Sequence, residues 1–268
     1  MATSPSQNKG TALITGASGG IGAIYADRLA RRGYDLVLVA RNGKRLEEVA
    51  QRIRSATQRS VEVIVADLGN KADLARVEAN LRADGRITML VNNAGFGAAT
   101  PLADSDVNKM EEMIELNVVA LTRLTYAVVP GFVARGNGSI INIASIVAVA
   151  PDMLNGVYGG TKAFVLAFSQ SLQHELADKG VRVQVVLPGA IATDFWGVIG
   201  GVQNLPPQIV MSGDDLVDSA LAGFDQGEFA TVPSLPESDD WNAFEQARLA
   251  LRPNLSHVKP ASRYARKH

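Results

Sequence analysis

The chain has no cysteine. Disulfides, thiol nucleophiles and thiolate zinc centres are therefore excluded, and nothing argues for an oxidising compartment. Histidine is nearly as scarce: only His174, His257 and His268 are present, so no metal site is expected. Neither sign of charge is in excess. The 26 Lys and Arg against 27 Asp and Glu leave a net charge of -1, so no overall electrostatic pull toward nucleic acid or an anionic membrane exists. The first ten residues lack the apolar stretch of a signal peptide, and no unbroken apolar run approaches the roughly 18 residues that span a bilayer. These absences lead to the expectation of a soluble cytoplasmic protein with neither nucleic-acid nor membrane partners.

What remains is an ordinary globular composition, 47% apolar and 20% charged over 268 residues, enough to bury a core without staples. Short β-branched runs recur at 13–15, 36–39, 61–65, 89–91, 139–143 and 181–187. Several are apolar at nearly every position, the mark of strands covered on both faces. Amphipathic helical stretches separate them, at about 20–32, 43–56, 71–84, 106–135 and 156–179. Strand alternating with helix predicts a doubly wound, Rossmann-type α/β sheet of about seven parallel strands with helices on both faces. A last strand is expected near 228–232. The predicted layout is a flexible segment 1–10, one domain over 11–232, and an extension 233–268 with a short helix near 241–251. That extension has a basic tail that can simply be solvated. Residues 190–212 form a long apolar connection, either a substrate lid or a surface loop with a short packed helix.

Glycine is slightly abundant, 25 residues, and its placement is informative. The first strand runs into Thr15-Gly16-Ala17-Ser18-Gly19-Gly20-Ile21-Gly22, at the junction with the first helix. Glycine allows positive φ and close backbone approach, and a helix start offers free N–H groups and a positive dipole end to a phosphate. In an open α/β sheet this junction is the nucleotide position. The acid that would hold a ribose 2′-hydroxyl at the end of the second strand is missing. Arg41 stands there instead, with a planar fork suited to a 2′-phosphate, which favours NADP over NAD. Asp67, after the third strand, is either an acceptor for the adenine amino group or a turn cap.

Tyr158 and Lys162 lie four apart in a helical stretch and so share one face. Ser145 follows the fifth strand, at the ligand-binding edge of such a sheet. A neighbouring ammonium favours the phenolate of a Tyr, and a Ser hydroxyl can donate to a carbonyl oxygen as charge develops on it. Singly, each residue has a plain structural explanation.

Together with Asn92-Asn93-Ala94-Gly95 and Pro188-Gly189, these motifs resemble the short-chain dehydrogenase/reductase family, from about Thr11 to Thr193 and more loosely to Val232. The resemblance implies hydride transfer between NADP(H) and a carbonyl or secondary alcohol. Tyr158 would move the proton, Lys162 would lower its pKa and hold the nicotinamide ribose, and Ser145 would orient the carbonyl. Asn117 would hold a relay water, or else simply bend its helix. Cofactor contacts are implied for Gly16, Ser18, Gly20, Ile21, Gly22, Arg41, Asp67, Leu68, Asn93, Ala94, Gly95, Tyr158, Lys162, Pro188, Gly189, Ile191 and Thr193, with Asn92 bracing the sheet. Phe96, Val147, Met153, Leu154, Phe195 and Trp196 would contact an apolar or bulky ketone or aldehyde. The family also implies a homodimer or homotetramer built through 106–135 and 156–179. Gly159 and Gly160 depart from the usual pattern and each costs a helix about 1 kcal/mol relative to Ala. A non-catalytic NADP-binding regulator is the competing expectation.

Overall fold

The computed structural model describes residues 9–193 and 201–264. Its chain alternates strand and helix from the start: β1 (Thr11–Thr15), α1 (Gly20–Arg31), β2 (Asp35–Ala40), α2 (Gly43–Thr57), β3 (Val61–Val65), α3 (Lys71–Ala83) and β4 (Ile87–Asn92). Then come α4 (Val107–Ile114), α5 (Leu121–Arg135), β5 (Gly138–Ile143), α6 (Gly156–Leu176), β6 (Val181–Val186), a short β7 (Ala190–Ile191) and β8 (Val210–Met211), α7 (Gly213–Gln226), β9 (Ala230–Thr231) and α8 (Ser238–Ala250).

Seven strands pair in the order β3-β2-β1-β4-β5-β6-β9, all parallel. This is the doubly wound Rossmann-type sheet that the sequence pattern predicts, and the order reverses between β1 and β4. The β7 and β8 strands pair separately, parallel, within the 190–212 connection. The two faces of the sheet explain the unbroken apolar runs. Ala12, Ile14, Leu36 and Leu38 point into one core, under α1, α2 and α7. The alternate residues Leu13, Val37 and Val39 point into the other, under α3, α5 and α6. A period of two thus supplies both layers from one strand.

Five helix starts follow one rule. Side chains of Asn42, Asn70, Asp106, Asn155 and Ser212 accept backbone N–H groups at the starts of α2, α3, α4, α6 and α7. By contrast, α1 starts on Gly19 with no side-chain cap and no acid in its first turn.

The stretch 106–135, expected as one helix, is α4 and α5 joined by a π-helical segment over Glu115–Ala120. It is continuous and apolar enough to cross a membrane by length and composition. Arg123 interrupts the run, so a search for unbroken apolar stretches misses it. Ala120, Leu124, Ala127, Val128 and Phe132 are buried in the second core, which accounts for the apolar composition.

The chain divides into two compact units, Met1–Pro233 and Ser234–His268. The second holds α8, with the rings of Trp241 and Phe244 5.3 Å apart and Arg248 paired to Glu245.

Candidate active site

The glycine turn joins β1 to α1, and its glycines divide into two kinds. Gly16 and Gly22 are closely packed. A Cβ at Gly22 would lie 2.4 Å from the Gly16 carbonyl oxygen and 2.6 Å from Asn93 Nδ2, and one at Gly16 2.7 Å from the same nitrogen. Gly16 and Gly20 also have positive φ, 68° and 51°. Among the described residues a Cβ at Gly19 would meet nothing within 4 Å, so among them the turn is packed on one side and open on the other.

Asn93 secures the packed side. Its Nδ2 donates to Thr15 O at 2.9 Å, and Thr15 Oγ1 accepts the N–H groups of Asn93 and Ala94 at 3.0 Å each. The open side presents the uncapped start of α1, with Ser18 and Ile21 half-buried beside it. Among the described residues that cradle fits a dinucleotide pyrophosphate: an uncapped helix start with N–H groups to offer and no acid in its first turn.

Neighbouring strand ends complete this half. Arg41 and Asp67 follow β2 and β3, 4.0 Å apart, with the Arg41 side chain 75% exposed. Asp67 Oδ1 accepts from Gly69 N at 3.0 Å, so the turn-capping job is the one its side chain performs here. Leu68 is buried in the second core.

The other half lies where β4, β5 and β6 end. Tyr158 and Lys162 sit on one face of α6, and both are buried, 5% and 7% exposed. Tyr158 shares a hydrogen bond with Ser145, which favours the phenolate, but burial dominates and pushes the phenol up to about 12. Burial pulls Lys162 down to about 8. Its Nζ donates to Ile143 O at 2.9 Å and stands 5.9 Å from the Tyr158 ring centre. Pro188 O ties two strand ends together, lying 3.3 Å from Ser145 Oγ and accepting from Ile146 N at 3.0 Å.

Asn117 occupies the π-helical segment. Its Oδ1 accepts from Phe96 N at 3.1 Å, and its Nδ2 donates to Phe96 O at 2.8 Å and Thr161 Oγ1 at 3.1 Å. Thr161 Oγ1 donates onward to Tyr158 O at 2.8 Å. The widened turn accompanies an Asn that is fully engaged with its surroundings, a common setting for π-bulges at functional sites. Gly95 faces the same place: a Cβ there would be 2.8 Å from Asn117 Oδ1 and 3.8 Å from Lys162 Nζ.

Of the expected substrate contacts, Phe96, Val147 and Leu154 join Tyr158, Met110 and Met113 in a small apolar cluster. Met153 is 57% exposed and stands outside it. Phe195 and Trp196 lie outside the described residues. Gly189 follows Pro188 toward β7, which carries the buried Ile191. Thr193 Cγ2 would be 3.7 Å from a Cβ at Gly20, which brings the end of that segment beside the glycine turn.

The sequence reading misses Thr161 and Asn155. Asn155 caps α6 through Val157 N at 2.9 Å and donates to Thr100 O at 2.7 Å. An Asn directly before an apolar helix is a readable capping signal; Thr161 gives none, because Asn117, the partner that ties it to the site, comes from another element.

A family model described as short chain dehydrogenase matches residues 10–200. The chain belongs to the short-chain dehydrogenase family. An uncharacterized oxidoreductase of Staphylococcus saprophyticus is 35% identical over 224 residues, 82% of this chain and 93% of that protein. A short-chain dehydrogenase from Sphingobium yanoikuyae, solved in complex with NADPH, is 48% identical with a TM-score of 0.92, over 95% of this chain and all of the other. A bulky-bulky ketone specific alcohol dehydrogenase from Comamonas testosteroni is 44% identical with a TM-score of 0.90, over 97% of this chain and all of the other. As a short-chain dehydrogenase the protein is an oxidoreductase that uses a nicotinamide cofactor on carbonyl or alcohol groups.

Proposed function

We propose that the protein reduces apolar or bulky ketones and aldehydes with NADPH, or runs the reverse oxidation, with Tyr158 as the proton carrier. One observation carries this reading: the buried Tyr158 phenol meets the Ser145 hydroxyl against a wall of Phe96, Val147 and Leu154. A carbonyl oxygen placed between the two hydroxyls is polarised by Ser145 and protonated by Tyr158. The apolar wall excludes water and accepts the substituents of the carbonyl carbon. Lys162, on the same helix face, supplies the positive charge that favours the phenolate.

The glycine turn, the α1 start and Asn93 would hold the pyrophosphate, and Arg41 the 2′-phosphate. When bound, the nicotinamide ring supplies or takes up the hydride. Two resemblances support the finer points. The Sphingobium relative is described in complex with NADPH, and the Comamonas relative as specific for bulky-bulky ketones. Assembly into dimers or tetramers belongs to the same reading; Tyr126 and Phe164 are exposed apolar residues on α5 and α6.

The test is NADPH consumption against a panel of ketones graded by bulk, with Tyr158→Phe as the control. Removing the hydroxyl should lower turnover by about 10²–10⁴-fold, the usual contribution of a positioned acid, without loss of NADPH binding. Equal turnover by the variant sinks the proton role. Tight NADPH binding with no turnover across the panel would favour the regulator instead.

A further inference from the structure

Beneath the site, polar groups run through the second core where aliphatic side chains would ordinarily sit. Asn92 and Asn142 are register partners at the ends of β4 and β5. They alternate with Val91 and Ile141, so both point to the layer that holds α5 and α6. Asn92 Nδ2 donates to Asn142 Oδ1 at 3.0 Å and to Thr125 Oγ1 at 3.2 Å. Asn142 Nδ2 donates to Ser169 Oγ at 2.9 Å. Thr125 and Ser169 turn their own hydroxyls back to Leu121 O on α5 and Val165 O on α6. All four residues are buried, Asn142 and Ser169 completely.

Such a chain is a poor way to gain stability. Burying amides costs desolvation that their hydrogen bonds only roughly offset, and Asn92 Oδ1 is buried with no hydrogen-bond partner among the described residues. What it provides is a fixed relative position, because a buried donor and acceptor admit one alignment where apolar surfaces admit several.

The alignment it fixes is that of α6. Ser169 is seven residues, two helical turns, after Lys162 and lies on the same face. Asn142 directly precedes Ile143, whose carbonyl accepts from Lys162 Nζ. The end of β5 therefore grips α6 at two points about 10 Å apart along the helix: an amide on Ser169 and a carbonyl on Lys162. Slippage of α6 that breaks the first contact displaces the second.

We propose that the Asn142–Ser169 hydrogen bond is a positioning contact for the reaction, setting the axial place of α6 so that the Lys162 ammonium stays beside Tyr158. The inference rests on the roles proposed above for Tyr158 and Lys162.

The test compares Ser169→Ala, Ser169→Thr and Thr125→Val in the full-length enzyme. Thr125→Val removes a hydrogen bond of the same chain on the α5 side and serves as the control for general loosening. Four quantities are read: melting temperature, NADPH affinity by fluorescence titration of enzyme prepared without cofactor, the kcat and KM of ketone reduction, and the pH profile of kcat. Ser169→Ala should lower kcat about fivefold, the effect of one buried hydrogen bond, with the ketone KM within about twofold. It should weaken NADPH binding about threefold and move the alkaline midpoint of kcat upward by about half a pH unit, because an ammonium displaced from its buried place keeps its proton to higher pH. Ser169→Thr keeps the hydroxyl and should recover kcat to within about twofold. Thr125→Val should lower the melting temperature and leave the pH midpoint in place.

The proposal is overturned if Ser169→Ala lowers only the melting temperature, or if Thr125→Val moves kcat and the pH midpoint as far as Ser169→Ala does. Should Ser169→Ala fail to fold, Ser169→Cys, which keeps the size and weakens the hydrogen bond, is read by the same outcomes. Wild-type turnover in Tyr158→Phe would instead defeat the underlying assignment, and this inference with it, whatever Ser169→Ala does.

Discussion

The two halves of the sheet edge are built on opposite principles. Around β1, β2 and β3 the site is made of backbone and of missing side chains: Gly16 and Gly22 leave room for Asn93, Gly19 opens outward, and α1 starts without a cap. Around β4, β5 and β6 it is made of buried polar side chains: Ser145, Tyr158, Lys162, Asn117 and Thr161, each held by a partner from another element. The first half suits the charged phosphates of a dinucleotide. The second suits chemistry, where the place of one proton has to be fixed. A backbone cradle tolerates no added atoms, whereas a polar cluster is sensitive to charge and pH.

The largest expected effect attacks the first principle. Gly22→Ala puts a Cβ 2.4 Å from a backbone carbonyl oxygen, with no flexible side-chain end to give way. It should cost about 3 kcal/mol or more of stability and about 100-fold or more in nicotinamide affinity, read by calorimetry and fluorescence titration. Near-normal binding would show that the turn adapts, and the contrast between the halves would fail there.

The second principle is tested by pH. Lys162 is pulled from its ordinary 10.5 to about 8. Between those values the unfolded chain binds more protons at this site than the folded one, so stability from this group rises with pH across the window. Below pH 8 the folded protein carries the full cost of the buried ammonium, about 3 kcal/mol from the shift. Lys162→Met removes that dependence. Wild type should therefore gain about 3 kcal/mol relative to Lys162→Met between pH 7 and pH 10.5, measured by urea unfolding. A constant difference would mean that Lys162 is not buried as a charge. Tyr158, raised to about 12, acts in the opposite sense above pH 10: its contribution is lost as pH climbs from 10 toward 12.

These two halves were not equally legible in the sequence. A glycine turn is local: strand, glycines and helix are contiguous, and one stretch from Thr15 to Gly22 declares the cradle. Tyr158 and Lys162 are legible for the same reason, as neighbours on one helix. The polar support is not. Asn142 finds Ser169 across 27 positions, and Asn117 finds Phe96 and Thr161 across 21 and 44. Such partners depend on which strands adjoin, which the pattern of apolar runs leaves open until the strand order is known. The same limit explains the helix expected over 106–135. Its apolar spacing is continuous, and only the neighbours of Asn117 reveal the π-helical segment.

Arg41 gives a smaller effect and sharpens the comparison within the first half, because it is the side chain there assigned a recognition role. On the proposed reading, Arg41→Ala should weaken NADPH about tenfold, the loss of a charge-assisted contact at an exposed site, and leave NADH nearly unchanged. Kd for both cofactors decides it. Equal losses would place Arg41 outside 2′-phosphate recognition.

The smallest effect concerns two adjacent glycines on α6, where only one obeys the close-packing logic of the cradle. A Cβ at Gly159 would lie 3.1 Å from Pro151 Cβ, 3.2 Å from its Cα and 3.3 Å from its carbonyl oxygen. The turn over Pro151–Met153 would have to move, so Gly159→Ala should destabilise the protein and disturb the cluster around Leu154. At Gly160 a Cβ would meet nothing within 4 Å, and its φ is not in the left-handed region. The helix there loses propensity with no packing reason among the described residues. Gly160→Ala should therefore stabilise by about 1 kcal/mol, a rise of about 2–4 °C in melting temperature for a domain of this size, with kcat unchanged. A fall in melting temperature that grows with protein concentration would mean that the open face at Gly160 is closely covered by a second copy. Gly160 would then join Gly16, Gly22 and Gly159 as a glycine kept for close approach.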